Sequence, residues 1–494
     1  MSQTIQLSLV SHTNVGKTTL ARTLLGRDVG EVRDEAHVTQ SADLHDLLVT
    51  PDGDRLALWD TPGFGDSTRL HKRLAQSDNP LGWFMSQVWD RYRDRGFWSS
   101  QQAVRNIRDH ADVVLYLVNA SEKPEEAGYV CAEMRVLEWS GKPALVLLNQ
   151  LGPPRPAADD QSDVERWRSH LQNFSCVHRV LAFDAFARCW VQEAVLFSEI
   201  AKVISQDKRD VFAALNKQWL RQRQATFNTA MQILAERLTR VALDRESLAD
   251  SVWTDKLLAL AIKLSLRRDD KDSPRQLAMC ALAERLDGHI RSSTDRLIEL
   301  HGLSGHATTE ILSRLANHYA VREPLSESKS AALGGVITGA IAGLKADLAS
   351  GGMTFGAGLL VGGVLGALGS AGLARGYNLV RGAETTTITW SDEVLDDLAI
   401  SSLLGYLAVA HYGRGRGDWA KSEFPAHWQV LVSEAFMQQQ QAFRDAWSLR
   451  AEANAGAVIM PMLRNALAAT ARTVLTRLYP EVQIDFGQSL SAAK

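Results

Sequence analysis

A short polar loop near the N-terminus constrains this chain more than any other stretch. Ile5 to Val10 is an apolar run of strand length, and Ser11 to Thr19 (SHTNVGKTT) follows it and opens an amphipathic stretch. Such a loop binds phosphate groups, because successive backbone N–H groups and the positive helix N-terminus point at the anion. Lys17 adds a charge for the β- and γ-phosphates, and the Thr18 hydroxyl can ligate Mg²⁺. The predicted nucleotide-binding residues of the loop are Asn14, Val15, Gly16, Lys17, Thr18 and Thr19.

The first position of this loop departs from the usual pattern. Loops of this kind normally begin with glycine, and here the position is Ser11. Glycine best tolerates the backbone conformation often found there, so we expect a slightly reshaped loop.

A second motif follows another strand-like stretch. Asp60-Thr61-Pro62-Gly63 comes directly after Arg55 to Trp59. A carboxylate at that strand end can reach Mg²⁺ through water, while the Gly63 amide can face the γ-phosphate. Two such motifs in this order, each at the end of a predicted strand, do not commonly arise by chance. The predicted catalytic and metal-binding residues therefore include Lys17, Thr18, Asp60 and Gly63.

The first 205 residues alternate short apolar strands with amphipathic stretches. Beyond the first strand, the strand-like segments are Leu44 to Thr50, Arg55 to Trp59, Asp112 to Val118, Ala144 to Leu148 and Val180 to Phe183. The alternation predicts an α/β domain with a doubly wound, mostly parallel sheet over residues 1–205. The turn sequence PDGD at 51–54 predicts a hairpin between the second and third strands.

The two motifs resemble the Era/TrmE-like branch of P-loop GTPases, whose loop reads N-V-G-K-[ST] and whose Mg²⁺ strand ends in D-T-P-G. The longer run Asp60 to Asp66 (DTPGFGD) is also similar to septin-like GTPases. More loosely, the whole layout resembles a bacterial GTPase family with a C-terminal domain of unknown function. The resemblance implies a GTPase that uses Mg²⁺ and GTP.

The resemblance also implies roles for single residues. Thr39, 22 positions after Lys17, would be the switch I threonine that senses Mg²⁺ and the γ-phosphate; Ser41 and His37 are alternatives for this signal. Phe64 stands where Ras-type enzymes carry a water-orienting glutamine, so the catalytic residue comes from elsewhere or hydrolysis is slow. Asn14 would help to hold a K⁺ ion that stimulates hydrolysis, or it is a loop residue that bonds its own backbone.

The base-recognition motifs depart from the family pattern. The strand Ala144 to Leu148 ends in Asn149-Gln150-Leu151-Gly152, so glycine occupies the aspartate position of N-K-x-D. The next strand ends in Asp184-Ala185, which is similar to the S-A-x loop whose amide meets the guanine O6. Losing this charged bidentate contact costs roughly 1–3 kcal/mol of the discrimination between guanine and other bases. Asn149, Gln150 and Ala185 remain predicted nucleotide contacts, with guanine favoured and adenine still open.

An insertion at about 64–110 lengthens the switch II region. It is rich in aromatic residues, namely Trp83, Phe84, Trp89, Tyr92, Phe97 and Trp98. These side chains either bind a protein partner or the helical domain in one nucleotide state, or they pack beneath a helical insertion.

From about residue 206 the pattern predicts an all-α domain. Phe227, Met231, Leu234, Leu238 and Val241 form one apolar helix stripe. The domain is divided into helical regions at 206–330 and 383–494 by a glycine-rich apolar segment at 331–382. Glycines recur there every four residues, at 335, 339 and 343 and at 358, 362 and 366.

This glycine-rich segment predicts a helical hairpin. Leu348 to Ala374 carries no charge over a length that exceeds the roughly 20 residues needed to cross a bilayer. Grooves of bare backbone favour close helix packing in membranes, while glycine weakens helices in water. The hairpin is expected to associate with a membrane; the alternative is a hairpin buried inside the helical domain.

Charge and targeting signals narrow the functional classes. The 54 lysines and arginines against 57 aspartates and glutamates leave a net charge of −3, which argues against a nucleic-acid partner. No N-terminal export signal precedes the first strand, and the four cysteines lack zinc-like spacing, so we expect a cytoplasmic chain at the cytoplasmic membrane. The expected function is a Mg²⁺-dependent GTPase switch. The alternatives are a nucleotide-gated scaffold or dynamin-like remodeller with little hydrolysis or relaxed guanine specificity.

Overall fold

The computed structural model describes residues 2–26, 29, 42–65, 67–75, 95–152, 155–185, 189–247, 274–303, 377–381, 386–412 and 425–480. The chain divides into two compact units. The first comprises Met1–Ala225, Ala410–Trp419 and Thr476–Lys494, and the second Thr226–Val409 and Ala420–Leu475.

A mostly parallel sheet forms the centre of the first unit. Its six strands among the described residues are β1 (Thr4–Ser11), β2 (Asp43–Val49), β3 (Arg55–Asp60), β4 (Val113–Asn119), β5 (Ala144–Asn149) and β6 (Val177–Ala182). Their order is β2-β3-β1-β4-β5-β6, with β2 antiparallel to β3 and every other pair parallel. The predicted α/β fold class of this domain and the predicted hairpin between its second and third strands are confirmed.

Helices cover both faces of this sheet, and the strand sequences reflect it. The helices are α1 (Lys17–Leu25), α2 (Ser67–Leu74), α3 (Arg95–Asp109), α4 (Gly128–Ser140), α5 (Ala157–Leu171) and α6 (Trp190–Val203). The central strands β4 and β5 are almost continuously apolar and buried, as expected for strands packed on both faces. The edge strand β2 instead leaves Leu44 and Val49 exposed. Since parallel strands end at one edge, the loops after β1, β3 and β5 meet there.

Long helices dominate the later part of the chain. They are α7 (Arg209–Leu243), α8 (Pro274–Leu300), α9 (Asp392–Ala410), α10 (Ala426–Ser448) and α11 (Ala455–Leu478). All five residues of the predicted apolar stripe on α7 are buried. Helix α8 begins at a proline, which suits the first helical position, and is followed by Gly302 in the left-handed region. The helical character of this region is confirmed.

The prediction that this region is all-α is wrong. A three-stranded antiparallel sheet forms from β7 (Arg245–Ser247), β8 (Tyr377–Arg381) and β9 (Thr386–Trp390), in the order β7-β9-β8. The sequence of β9, TTITW, is β-branched and aromatic, a composition that favours strands, and Trp390 is fully buried. The helical periods on either side of β9 concealed this signal. Strand β8 also lies within the predicted helical hairpin 331–382, so the C-terminal end of that segment, Tyr377–Arg381, is a strand and not a helix.

The rest of the glycine-rich segment, 331–376, lies outside the described residues. Within the ranges that the structure does describe, no helix combines the length and apolar character required to cross a bilayer. The boundaries at 205, 330 and 382 stay predictions.

Candidate nucleotide-binding site

The loop after β1 holds its shape through two left-handed residues. Asn14 has a φ of 65° and Gly16 a φ of 96°. Asparagine tolerates this region better than most residues, and glycine adopts it freely. A Cβ atom on Gly16 would lie 2.7 Å from the Asn149 Nδ2 atom, so this position also needs the space that only glycine leaves.

Lys17 lies inside the loop rather than in solvent. Its side chain is buried, and Nζ donates to the Ser11 hydroxyl at 2.9 Å and to the His12 carbonyl at 3.4 Å. Burial lowers the Lys17 pKa to about 8, while the charges of Asp60 and Glu133 act in the opposite direction. Ser11 is not among the residues with positive φ, so serine fits this position without strain and supplies a hydroxyl that glycine lacks.

Asp60 and Thr18 are brought together beside Lys17. The Thr18 hydroxyl donates to Asp60 Oδ2 at 2.7 Å. Burial raises the Asp60 pKa, opposed by the Thr18 hydrogen bond and the Lys17 charge. The other carboxylate oxygen, Oδ1, is buried and has no hydrogen-bond partner in the described part of the chain. An orphaned carboxylate oxygen next to a hydroxyl is a donor set that fits Mg²⁺.

Gly63 lies against the same lysine. A Cβ atom at Gly63 would be 3.0 Å from Lys17 Nζ and 3.0 Å from the Thr13 Cα atom. The preceding Thr61 hydroxyl donates to the Leu9 carbonyl at 2.6 Å, and the following Phe64 amide donates to the Ser11 carbonyl at 2.9 Å. The backbone of the second motif is thus fastened to β1 and to the start of the phosphate-binding loop.

Asn149 connects the two ends of the site. Its Nδ2 donates to the Val15 carbonyl at 2.6 Å, and its Oδ1 accepts from the Ala185 amide at 2.8 Å. The side chain is fully buried. The Ala185 amide, which the sequence interpretation directs at the guanine O6, is therefore bonded to Asn149 here.

The loop after β5 is held by two further contacts. Gln150 has a φ of 60°, and its Nε2 donates to the Asn14 carbonyl at 3.4 Å. The buried carboxylate of Asp184 accepts from the Leu151 amide at 2.7 Å. Gly152 has a φ of 86°, and a Cβ atom added there would meet no atom of the described residues within 4 Å. The structure thus brings Asn14, Val15, Gly16, Asn149, Gln150 and Ala185 into one connected group.

Comparison with known families identifies the first domain. Residues 6–150 match a family model described as 50S ribosome-binding GTPase. Residues 6–150 are a P-loop GTPase domain. Residues 314–473 match a second model, described as Domain of unknown function (DUF3482).

Three of the solved structures similar to this chain are two of Era and one of a FeoB G-domain. Era in complex with MgGDPNP and part of 16S ribosomal RNA is 18% identical over 42% of this chain and 58% of that chain, with a TM-score of 0.31. An Aquifex aeolicus Era variant bound to GDP and AlF4⁻ is 19% identical over 42% of this chain and 58% of the Era chain, with a TM-score of 0.31. The FeoB G-domain from Methanococcus jannaschii is 15% identical over 44% and 99%, with a TM-score of 0.23. This chain thus spans 58% of each Era chain. No curated protein matches it.

Several predicted residues of the GTPase domain lie outside the described residues. They are Thr39 with its alternatives Ser41 and His37, and the insertion aromatics from Trp83 to Tyr92. Phe97, at the start of α3, is described: it is buried in the core, with the Arg69 guanidinium 5.0 Å from its ring centroid. Of the two alternatives for the insertion aromatics, Phe97 therefore follows the second, packing within the domain. The Asn14 side chain is exposed and makes no hydrogen bond within the described residues.

Sequence reasoning missed a buried carboxylate below the loop. Glu133, on α4, accepts from His12 Nδ1 at 2.8 Å and from the Ser67 hydroxyl at 2.5 Å. Its other oxygen accepts from the Tyr116 hydroxyl at 2.7 Å. A signal was present, because Glu133 lies on the apolar stripe formed by Val130, Met134 and Leu137. A carboxylate on such a stripe is buried only when it is paired.

Phe64 occupies the core of the GTPase domain. Its ring is fully buried among apolar residues that include Val10, Leu70 and Phe97. A residue at this position is therefore directed into the protein, and a polar side chain here would lose its hydration without gaining a catalytic role.

Replacing Phe64 with glutamine should consequently destabilise the domain. We expect Phe64→Gln to lower its free energy of unfolding by about 3–5 kcal/mol, through a lost ring and a buried amide, without accelerating phosphate release. Phe64→Leu, which stays apolar, should cost about 1–2 kcal/mol. Urea unfolding of the three proteins measures both values. A glutamine variant as stable as wild type would contradict the buried placement.

Proposed function

We propose that this protein binds GTP with Mg²⁺ at the end of β1, hydrolyses it, and works as a conformational switch. The carrying observation is that Asp60 and Gly63, from a motif about 40 residues later in the chain, meet Lys17 and Thr18 at the buried Lys17 ammonium group. A buried lysine beside an array of backbone N–H groups favours a bound polyanion, because both supply positive charge.

Each residue of this group has a proposed role. The loop amides and Lys17 would bind and orient the phosphates, and the Gly63 amide would donate to the γ-phosphate. Thr18, Asp60 and Thr39 would hold Mg²⁺, which neutralises charge on the phosphate oxygens when bound. Asn14 would hold a K⁺ ion, a proposal supported by its exposed side chain; equal hydrolysis rates in NaCl and KCl would contradict it.

A second candidate is a nucleotide-gated scaffold with little hydrolysis. The burial of Phe64 favours it, because the position that orients water in Ras-type enzymes carries a ring directed into the core. The switch and the scaffold share the nucleotide site and differ in turnover.

Phosphate release under multiple turnover separates these functions. With GTP and Mg²⁺ we expect turnover by wild type and a loss of at least about 100-fold in Lys17→Ala, because the lysine contributes charge at the transferred phosphate. Arg168→Ala, at an exposed position on α5, is the matched control and should retain the wild-type rate. Nucleotide binding without turnover would favour the scaffold, and a Lys17→Ala variant as active as wild type would contradict both.

Guanine preference is proposed from Asn149, and Gly152 gives a way to test it. Aspartate tolerates positive φ better than most residues, and the structure leaves room for a side chain there. Because the added carboxylate can accept from guanine N1 and N2, Gly152→Asp should raise the GTP-over-ATP affinity ratio by about tenfold. Gly152→Asn matches the shape without the charge and should give a smaller gain. Competition binding with both nucleotides measures the ratios. An unchanged ratio would contradict a bound guanine whose N1 and N2 atoms face residue 152.

We also propose that the glycine-rich segment 331–382, in the part that precedes β8, attaches the protein to the cytoplasmic face of a membrane. The support is the uncharged stretch Leu348 to Ala374 with its four-residue glycine spacing. Full-length protein should float with liposomes, and Gly358→Glu combined with Gly362→Glu should abolish flotation because charges are costly within a bilayer. Failure of the wild type to float would favour the alternative, a hairpin packed inside the helical domain.

A further inference from the structure

A buried hydrogen-bond cluster joins the phosphate-binding loop to the helix that follows the DTPG motif. We call it the Glu133 cluster; it consists of His12, Ser67, Tyr116 and Glu133. Glu133 is fully buried, and its two oxygens receive three hydrogen bonds. Three donors on one buried carboxylate are what its desolvation requires.

Two of the three donors lie in or next to the proposed nucleotide site. His12 is the second residue of the phosphate-binding loop, and its carbonyl accepts from Lys17 Nζ at 3.4 Å. Ser67 is the first residue of α2, four positions after Gly63. A single carboxylate oxygen, Oε1, accepts from both His12 and Ser67, so it fixes the start of α2 relative to the loop.

The backbone that precedes Ser67, at residues 61–65, is also held in place by hydrogen bonds and close packing. The Gly65 amide donates to the Ser100 hydroxyl at 3.0 Å, and a Cβ atom on Gly65 would collide with Gly96 Cα at 2.3 Å. Phe64 is bonded to the Ser11 carbonyl through its amide. Residues 61–65 therefore have fixed neighbours, and Ser67 provides the attachment at the C-terminal side.

The geometry does not support a hydrolytic relay. Serine, histidine and glutamate are the residue types of such a relay, but there the imidazole uses one nitrogen for the serine and the other for the carboxylate. Here both contacts involve His12 Nδ1, at 2.8 Å from Glu133 Oε1 and 3.5 Å from Ser67 Oγ. The cluster is consequently suited to holding backbone segments in place.

We propose that Glu133 is a positioning residue for recognition of the γ-phosphate. By holding Ser67 and His12 together, it completes the set of attachments that keep the Gly63 backbone beside Lys17, where a third phosphate would be met. The inference rests on the proposed nucleotide site and deepens it. Because GDP lacks the group that Gly63 would contact, loss of this attachment weakens binding of the triphosphate and leaves the diphosphate nearly unaffected.

The experiment compares affinities for GDP and for a non-hydrolysable GTP analogue, with Mg²⁺, on the full chain. In Ser67→Ala we expect the Kd of the triphosphate analogue to rise about tenfold and that of GDP to change by less than about twofold, since a charge-assisted hydrogen bond is lost. Glu133→Gln should change the ratio in the same direction. The double variant should show a smaller shift than the two single shifts combined, because both changes remove the Ser67–Glu133 contact. The shifts need not overlap completely, since the Ser67 hydroxyl also lies 2.7 Å from the Gly65 carbonyl.

The matched control lies on the same helix. Glu138 is a carboxylate of α4 that accepts from Ser175 and Arg135, away from the loop. Glu138→Gln should leave the ratio at the wild-type value. Circular dichroism melts of every variant verify folding, and Ser67→Ala carries the test alone if the buried Glu133→Gln protein does not fold.

The failures of the two proposals are distinguishable. If wild type binds neither nucleotide, the proposed site is wrong. If wild type binds both and Lys17→Ala binds neither, the site stands and the ratio in Ser67→Ala decides the role of the cluster. An unchanged ratio, or an equal loss for GDP and the triphosphate analogue, would overturn positioning of the γ-phosphate contact by Glu133.

Discussion

The burial of the Lys17 ammonium is the interaction on which the rest of the site depends. A cation removed from water is costly unless its donors are paired and opposite charges lie close by. The loop supplies the Ser11 hydroxyl and the His12 carbonyl, and Asp60 and Glu133 supply negative charge. The pKa near 8 indicates that this compensation is incomplete. A bound polyphosphate would supply further negative charge beside Lys17, which agrees with the proposed nucleotide site.

The base end of the site is organised around Asn149 instead. One amide group bonds both the phosphate-binding loop and the loop after β6, so the two ends of the site are positioned by a single buried side chain. Asp184 adds a second attachment through Leu151. The loop after β5 is thereby well held although it lacks the aspartate of the N-K-x-D pattern. The loop after β5 is thus positioned by Asp184 and Gln150 rather than by an aspartate at residue 152.

Local sequence signals were sufficient for the strands and the two phosphate motifs. Apolar runs of strand length predicted the six strands within a few residues, because buried parallel strands are almost entirely apolar. Glycine, lysine and proline spacing predicted the loop and the DTPG turn, because those backbones need particular residues. These are constraints within a few consecutive residues, and they can be read directly.

Contacts between distant segments were not predictable in this way. Glu133 lies 121 residues from His12 and 66 from Ser67, and no local pattern records such a pairing. The double role of Asn149, which bonds Val15 and Ala185, was missed for the same reason. The strand β9 was a different error: its β-branched composition was present in the sequence, but the helical period on either side was given more weight.

The proposed nucleotide site extends from the phosphate-binding loop to the loop after β5. Amide hydrogen exchange of the full chain, with and without GDP and Mg²⁺, reports on both ends of this site in one experiment. We expect GDP to slow exchange in Thr13 to Thr18 and also in Asn149 to Gly152. Protection of the first segment alone would indicate a phosphate site without a guanine pocket, and protection of neither would contradict the account.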